Sequence, residues 1–370
     1  MTDAHRPDGD LSIEVGGNAI TGWEAIDVTL RAEAFPNSFA IGLSSKEPIT
    51  SKAVVAKAGD PCVIKIGSDT VITGYVDRDS NTTSADGHTL SLIGRGKTQD
   101  LTDCSAEWKG GQILSATGLE IAKKLAAPYG IEVKLAAGAD AGQPVPQTNI
   151  TYGETAAGII QRNARNAGLL AYEDSDGALL LARVGTVKAA SGVKYGVNVL
   201  DSSVTNAMDQ RYSEVRCAAL SQNTFGDIAG GDDSFFYFTA SDPNVPRHRL
   251  MYLVTEAAFS PRFFTELKAK WEVARRAGRA GGAFVTIDSW RDSAGTLWKP
   301  NTLIDVDVPG LRGEGQMCIS EVTFHRSSER GTVADLFVMP PSAFAPEPIS
   351  LTNLNTADIA PDSTSQLVLP

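Results

Sequence analysis

Hydrophobic and polar positions alternate through most of the first hundred residues. From Gly59 onward, Val63, Lys65, Val71, Thr73, Tyr75, Thr89 and Ser91 fall into short apolar–polar runs. Turn residues separate these runs at Gly67-Ser68-Asp69 and at Asp86-Gly87. A period of two bounded by such clusters is the strand signal, and Asp-Gly between two such runs is a hairpin signal. The stretch predicts a three-stranded antiparallel meander that leaves the sheet at Gly94. Upstream, the run from Leu11 to Val15, Trp23 through Leu30 and Ser38 through Leu43 alternate as well, the last two separated by the turn Phe35-Pro36-Asn37. Five or six antiparallel strands are enough for a small barrel or sandwich.

The period then changes. From Gln112 to Tyr129, Leu114, Ile121, Ala122 and Leu125 share one helical face. Thr151 and Glu154 have the spacing of a capping box, which predicts a second helix burying Ile159, Ile160, Ala164 and Ala167 and ending at Gly168. Leu169 to Glu173 and Ala178 to Ala182 flank Asp176-Gly177 as a hairpin, which completes a compact α/β insert. Alternation returns over 197–259, around a Gly-Gly-Asp-Asp loop at 230–233. Ser260-Pro261 then has the form of an N-cap and first helical position. In that third helix Phe264, Leu267, Trp271 and Ala274 form the apolar stripe, and Lys268, Lys270, Arg275, Arg276 and Arg279 form a basic face, either solvated or docked on an acidic neighbour.

The chain also echoes itself. Pro300 to Gly310, Met317 to Phe324 and Val333 to Val338 repeat the order of strands and turns seen from Asp60 to Gly67, Val71 to Val76 and Thr89 to Ile93. In both copies the third strand begins about thirty residues after the first. The spacing is too diffuse for a solenoid. It predicts two like β units in one chain.

The exit from the first meander, Gly94 through Ala106 (GRGKTQDLTDCSA), resembles the corresponding segment of the Mu-type baseplate hub proteins. These are relatives of the phage late-control protein D and of the hub portion of type VI secretion spikes. The family pattern usually has Ser where Gly96 stands. Trp298 through Ile304 (WKPNTLI) is similar to that family's closing motif. The resemblance, spanning roughly residues 11–345, implies a mainly β fold with an α/β insert: two similar antiparallel β-barrel domains plus a small α/β domain. The expected division is a first barrel at 1–108, the insert at 109–195, a second barrel with one long helix at 196–343, and an extended tail at 344–370. The resemblance further implies a structural baseplate hub of a contractile tail. It would be a homotrimer joining a sixfold tail tube to a threefold spike, in contact with other baseplate proteins, with DNA only in transit. Its place would be the virion tail baseplate. The alternatives are the hub of a type VI or tailocin-like injection device, and a hub-associated peptidoglycan hydrolase. Gly94, Arg95, Asp100, Leu101 and Asp103 are the expected junction where the chain leaves the first barrel, with Arg95 paired to Asp100 or Asp103. Trp298, Pro300 and Asn301 are expected to set the start of the second repeat.

Composition narrows the chemistry. The formal charge of −11 and the pI near 4.9 argue against a surface that coats nucleic acid, which needs clustered Lys and Arg. An acidic bore would let DNA pass without adhering. The opening residues lack the apolar core of a signal peptide and no run is long enough to cross a bilayer, so synthesis in a host cytoplasm is the expectation. The tail beyond Arg330 has no Lys or Arg and is rich in Pro, so it is either loose or laid along a partner, and the resemblance implies contact with the spike. Cys62, Cys104, Cys217 and Cys318 are scattered and expected to be reduced and partly buried. Gly96-Lys97-Thr98 lacks the glycine five positions earlier that a phosphate loop requires, since Ser91 stands there. Asp77, Asp79 and Asn81 imitate the start of a calcium loop, but Thr82 and His88 occupy the positions that need Gly and Glu. The four histidines are isolated, and no nucleophile elbow is present. No catalytic residue, metal ligand or cofactor is expected, and the chain reads as a structural protein.

Overall fold

The computed structural model describes residues 10–45, 56–84, 87–220, 235–254, 261–312 and 315–345. It is mainly β with an α/β insert. The first β unit contains β1 (Leu11–Val15), β2 (Asn18–Ile20), β3 (Ala25–Arg31), β4 (Ser38–Ser45), β5 (Pro61–Ile66), β6 (Asp69–Thr83) and β7 (His88–Gly96). Their order in the sheet is β3-β4-β7-β6-β5-β1-β2. Alternation sets the facing: Cys62, Ile64 and Ile66 of β5 point inward, whereas Val63 and Lys65 between them are only half-buried. Strands β6 and β7 pair up to Thr83 opposite His88. Asp86 of the expected Asp-Gly turn lies outside the described residues.

The insert follows, with α1 (Gln99–Asp103), β8 (Gln112–Ala116), α2 (Gly118–Ala126), β9 (Val133–Leu135), β10 (Val145–Asn149), α3 (Ala156–Asn166), β11 (Leu170–Glu173) and β12 (Leu179–Ala182). Two expectations need correction here. The helix does not begin at Gln112: residues 112–116 are strand β8, paired with β10, and Leu114 is exposed. The capping box belongs to Thr117 and Glu120 at the start of α2, where the Thr117 hydroxyl accepts from the Glu120 N–H and the Glu120 carboxylate accepts from the Thr117 N–H. Helix α3 is capped by Thr155, whose hydroxyl accepts from the Gly158 N–H, rather than by Thr151. Ile121, Ala122 and Leu125 of α2 pack with Ile159, Ile160 and Ala164 of α3, as the helical period requires, and Leu179 and Leu181 of β12 close this core.

The rest of the chain supplies β13 (Val187–Lys188), β14 (Val193–Lys194), β15 (Val199–Asn206), β16 (Glu214–Leu220), β17 (Phe235–Ser241), β18 (Leu250–Val254), α4 (Pro261–Arg279), β19 (Gly281–Ile287), β20 (Thr302–Asp307), β21 (Gln316–Ser327) and β22 (Gly331–Met339). Strands β17-β16-β18 form a separate sheet, and α4 lies on it. On α4, Thr265, Ala269 and Glu272 are buried. Ala274, expected on the apolar stripe, is exposed, so the buried face is rotated from the expected one. The basic face is largely paired within the chain: Lys270 with Glu266, Arg276 with Glu272 and Arg279 with Glu33. The Phe264 side chain, Ser260, the loop at 230–233 and the tail from residue 346 lie outside the described residues.

The second β unit has the sheet order β15-β19-β22-β21-β20, which copies β3-β4-β7-β6-β5 strand for strand. The copy extends to an irregularity. Pairing of β6 with β7 skips one residue, Asp77, between Val76 and Arg78, and pairing of β21 with β22 skips Ser320 between Ile319 and Glu321. Counting from these bulges sets Leu92 on Leu336, both buried, and Ile93 on Phe337, both exposed. The two units are joined edge to edge, because β3 pairs antiparallel with β21 from Arg31 opposite Glu321 to Ile26 opposite Arg326. The result is one sheet of 14 strands. One hydrophobic core runs through both units, from Ile13, Phe39 and Ile64 to Val285, Ile304 and Phe324.

Candidate functional site: the three-way junction

Among the described residues, the chemistry-bearing side chains gather where the insert meets the two β units. Strand β11 stands at the centre. Its neighbours Tyr172 and Glu173 point to opposite sides by the period of two, Glu173 toward the first unit and Tyr172 toward the second.

Glu173 is almost fully buried, 5% exposed. One carboxylate oxygen accepts from the Asn37 N–H at 2.8 Å and the other from the Thr98 N–H at 2.9 Å. Asn37, in the turn between β3 and β4, donates its amide to the Glu173 carbonyl, accepts from the Arg31 N–H and, through its own carbonyl, from the Gly96 N–H. Burial pushes the Glu173 carboxyl up to about 7, and the two backbone donors pull against that rise. Of the Gly96-Lys97-Thr98 backbone, only the Thr98 N–H donates to this carboxyl group; the Gly96 N–H goes to the Asn37 carbonyl and the Lys97 N–H to the Thr73 carbonyl. Gly96 has no room for a side chain, because a Cβ there would collide with that carboxylate.

Gly94 is closed in by the Phe39 ring and the Tyr75 carbonyl, which leave no space for a Cβ. Arg95 is half-buried and forks between two acids. Its Nε donates to Asp77 at 2.5 Å, and its two terminal nitrogens donate to Asp103 at 3.1 and 2.8 Å. It thus ties the bulge residue of β6 to the last residue of α1. These bonds hold the Asp103 carboxyl below its usual range, and Asp103 and then Asp77 raise Arg95 further. Asp100 lies in the first turn of α1, apart from this fork, and Leu101 is fully buried in the core of the insert. The structure thus brings together Gly94, Arg95 and Asp103, with Asp100 beside them and Leu101 beneath.

On the other side, Asn301 is buried with φ +60°, a left-handed conformation that Asn tolerates better than most residues. Its side-chain oxygen accepts from the Gly185 N–H at 2.7 Å. Its amide nitrogen donates to the Arg183 carbonyl at 2.8 Å and to the Tyr172 hydroxyl at 3.3 Å. Asn301 therefore latches the end of the insert to the start of β20. Pro300 precedes it in the turn. Trp298 is buried in the shared core and donates its indole N–H to the Ser289 carbonyl.

Sequence reasoning missed Asn37, Tyr172 and Glu173. A signal was present for the last: alternation sets Glu173 on the buried face with Ala171, an apolar position occupied by an acid. Asp77, Asp79 and Asn81 lie on extended strand, with Asp77 taken by Arg95 and Asp79 accepting from the Ala58 N–H. Among the described residues no cluster of His, Cys, Asp and Glu has the form of a metal site. The cysteines are free; Cys62, Cys217 and Cys318 are buried and Cys104 is exposed. No described helix is long and apolar enough to cross a membrane.

Comparison with known proteins matches three segments of the chain. Residues 10–96 match the family described as Mu phage baseplate assembly protein GpP-like, N-terminal. Residues 98–183 match baseplate hub protein gp44-like, second domain, and residues 264–347 match Mu phage baseplate assembly protein GpP, fourth domain. The chain is similar to baseplate hub protein gp44 of Escherichia phage Mu, 27% identical over 339 residues, covering 90% of this chain and 88% of that protein. Its fold is similar to the 43 kDa tail protein of prophage MuSo2 from Shewanella oneidensis, at a TM-score of 0.79 and 28% identity, over 92% of this chain and 100% of that one. A tail protein from Neisseria meningitidis MC58 shares the fold, with a TM-score of 0.71 at 23% identity over 91% and 98% of the two chains. The three matched segments and the relative matched over 88% of its length agree, and together they support a Mu-type phage baseplate protein.

Proposed function

We propose that this chain is the structural hub of a contractile-tail baseplate, acting as a homotrimeric adaptor between a sixfold tail tube and a threefold central spike. The observation that carries the reading is the internal repeat: two β units with one strand order and one bulge position in a single chain. Three copies then offer six similar surfaces to the tube, while the parts present once per chain keep threefold symmetry for the spike. Those parts are the insert and the β16–β18 sheet with α4.

The working division is a β unit to residue 108, the insert at 109–195, a β unit at 196–343 and a tail at 344–370 that reaches for the spike. Other baseplate proteins meet the outer surface. The bore enclosed by the three copies carries DNA in transit, and the net charge of −11 favours passage over adhesion. The role is architectural rather than enzymatic, played in the virion tail after synthesis in the host cytoplasm. Light scattering on the purified chain, alone and mixed with the cognate spike, tests the reading. Three copies per particle is the expected result, and a chain that stays monomeric in both mixtures counts against it.

A further inference from the structure

A cavity of about 350 Å³ opens where α3, α4 and the residues after β22 meet. Its walls carry three arginines, Arg165 of α3 and Arg275 and Arg279 of α4, against one acid, Glu33. Glu33 is already taken by Arg279, which also donates to the Ala343 carbonyl. Arg275 is half-buried, and its guanidinium lies over the Trp271 ring, 5.4 Å from the centroid. Neither Arg275 nor Arg165 makes a side-chain hydrogen bond or ion pair with a described residue. Burial, and then the charge of Arg279, hold Arg275 below its usual range, although a guanidinium stays charged at neutral pH. In a chain of net charge −11 this local surplus of positive charge calls for an anion.

The chain itself has one close to the rim. The Trp271 indole N–H donates to the Ala345 carbonyl at 2.8 Å, so the residue before the tail and the Arg275 guanidinium are held on the same ring. Ala345 is extended, with φ −53° and ψ 124°, which suits a residue that precedes proline. The sequence continues as PEPISL over 346–351, and Glu347 is the first acid. Two residues of extended chain span up to about 7 Å.

We infer that this cavity seats the root of the chain's own tail, with the Glu347 carboxylate taken between the guanidiniums of Arg165 and Arg275. Charge-assisted bonds of this kind are the strong ones, and half-burial screens them less than open solvent would. Glu347 itself precedes a proline, which favours the same extended course, and the two flanking prolines lower the cost of ordering the segment. A carboxylate tethered two residues from the rim acts at an effective concentration of roughly millimolar or above, an advantage over an acid on a separate protein. Residues 346–370 contain no Lys or Arg to compete for it. The contact fixes where the tail starts and leaves the residues after 351 for the spike, so it does not depend on the trimeric reading.

The test is cleavage of the full chain by thermolysin at the Ser350–Leu351 bond, followed by mass. A protease that reads several residues on either side of the cut reaches this bond only when Glu347 has left the cavity, so the rate follows the undocked population. Arg275→Glu and Arg165→Glu should each speed the cut roughly fivefold. Lys270→Glu makes the same change of charge on α4 outside the cavity and should leave the rate unchanged. Glu347→Arg combined with Arg275→Glu should return the rate to that of the wild type, each tail being referred to its own free peptide. Circular dichroism checks folding, and if Arg275→Glu does not fold, the exposed Arg165 decides alone. Rates indifferent to both arginines overturn the inference and leave the cavity to an acid of another protein. Faster cutting that the charge exchange does not reverse overturns it as well, since the tail would then be held by shape and not by this pair.

Discussion

Glu173 is an acid in a place the alternation reserves for an apolar side chain, and its protonation bears on stability. Its folded value near 7 lies above the ordinary 4.5. Between those two values the folded chain holds a proton that the unfolded chain has released. This contribution is therefore fully favourable at the acid end and is lost as pH rises through the window, an effect on the order of 3 kcal/mol. The melting temperature of the wild type should fall relative to Glu173→Gln from about pH 5 to about pH 8. Parallel curves for the two proteins would show that Glu173 does not titrate in that range. Arg95 acts differently, since it and its partners are partly solvated. Exposed pairs of this kind are worth roughly 0–1 kcal/mol each. Arg95→Ala should lower stability only slightly, with assembly or solubility the larger loss. A variant that assembles and dissolves normally would remove Arg95 from the junction's role.

At the scale of elements, β11 places two consecutive residues on opposite partners, so the insert is fixed to both β units by one short strand. The latch on the far side is Asn301. Asn301→Ala loses the hydrogen bonds to Gly185 and Arg183 and keeps a Cβ at positive φ, a cost of roughly 2–4 kcal/mol in chemical unfolding. Asn301→Gly relieves only the backbone and should recover about 1 kcal/mol of that loss. Equal losses would show that the backbone conformation contributes nothing. Legibility in the sequence varied along the same elements. Strands β5 and β7, and β6 from Ile72 to Val76, were readable because each buries one face and alternates accordingly. Strand β8 was not, because Leu114 is exposed and Ile113 is buried, a pattern equally compatible with a helical stripe. The helix starts were misplaced where two capping residues stood close together: Thr151 has the better motif, while Thr155 has the backbone geometry. Of the junction, Arg95 and Asp103 were visible as neighbours in sequence. Glu173 and Asn37 were not, since they reach Thr98 across 75 and Gly96 across 59 residues, and no local pattern encodes a meeting of that length.

At the scale of the molecule, the two β units are one body: a shared sheet, a shared core and a seam in which Arg31 pairs with Glu321 and His325 with Asp27. The mass of three copies proposed above would repeat this body around a threefold axis. The seam has a further consequence for any attempt to divide the chain. Residues 10–96 made alone would bare the β3 margin that β21 now covers. A strand edge stripped of its neighbour invites indiscriminate pairing, so such a fragment is expected to clump where the intact chain has that margin already satisfied.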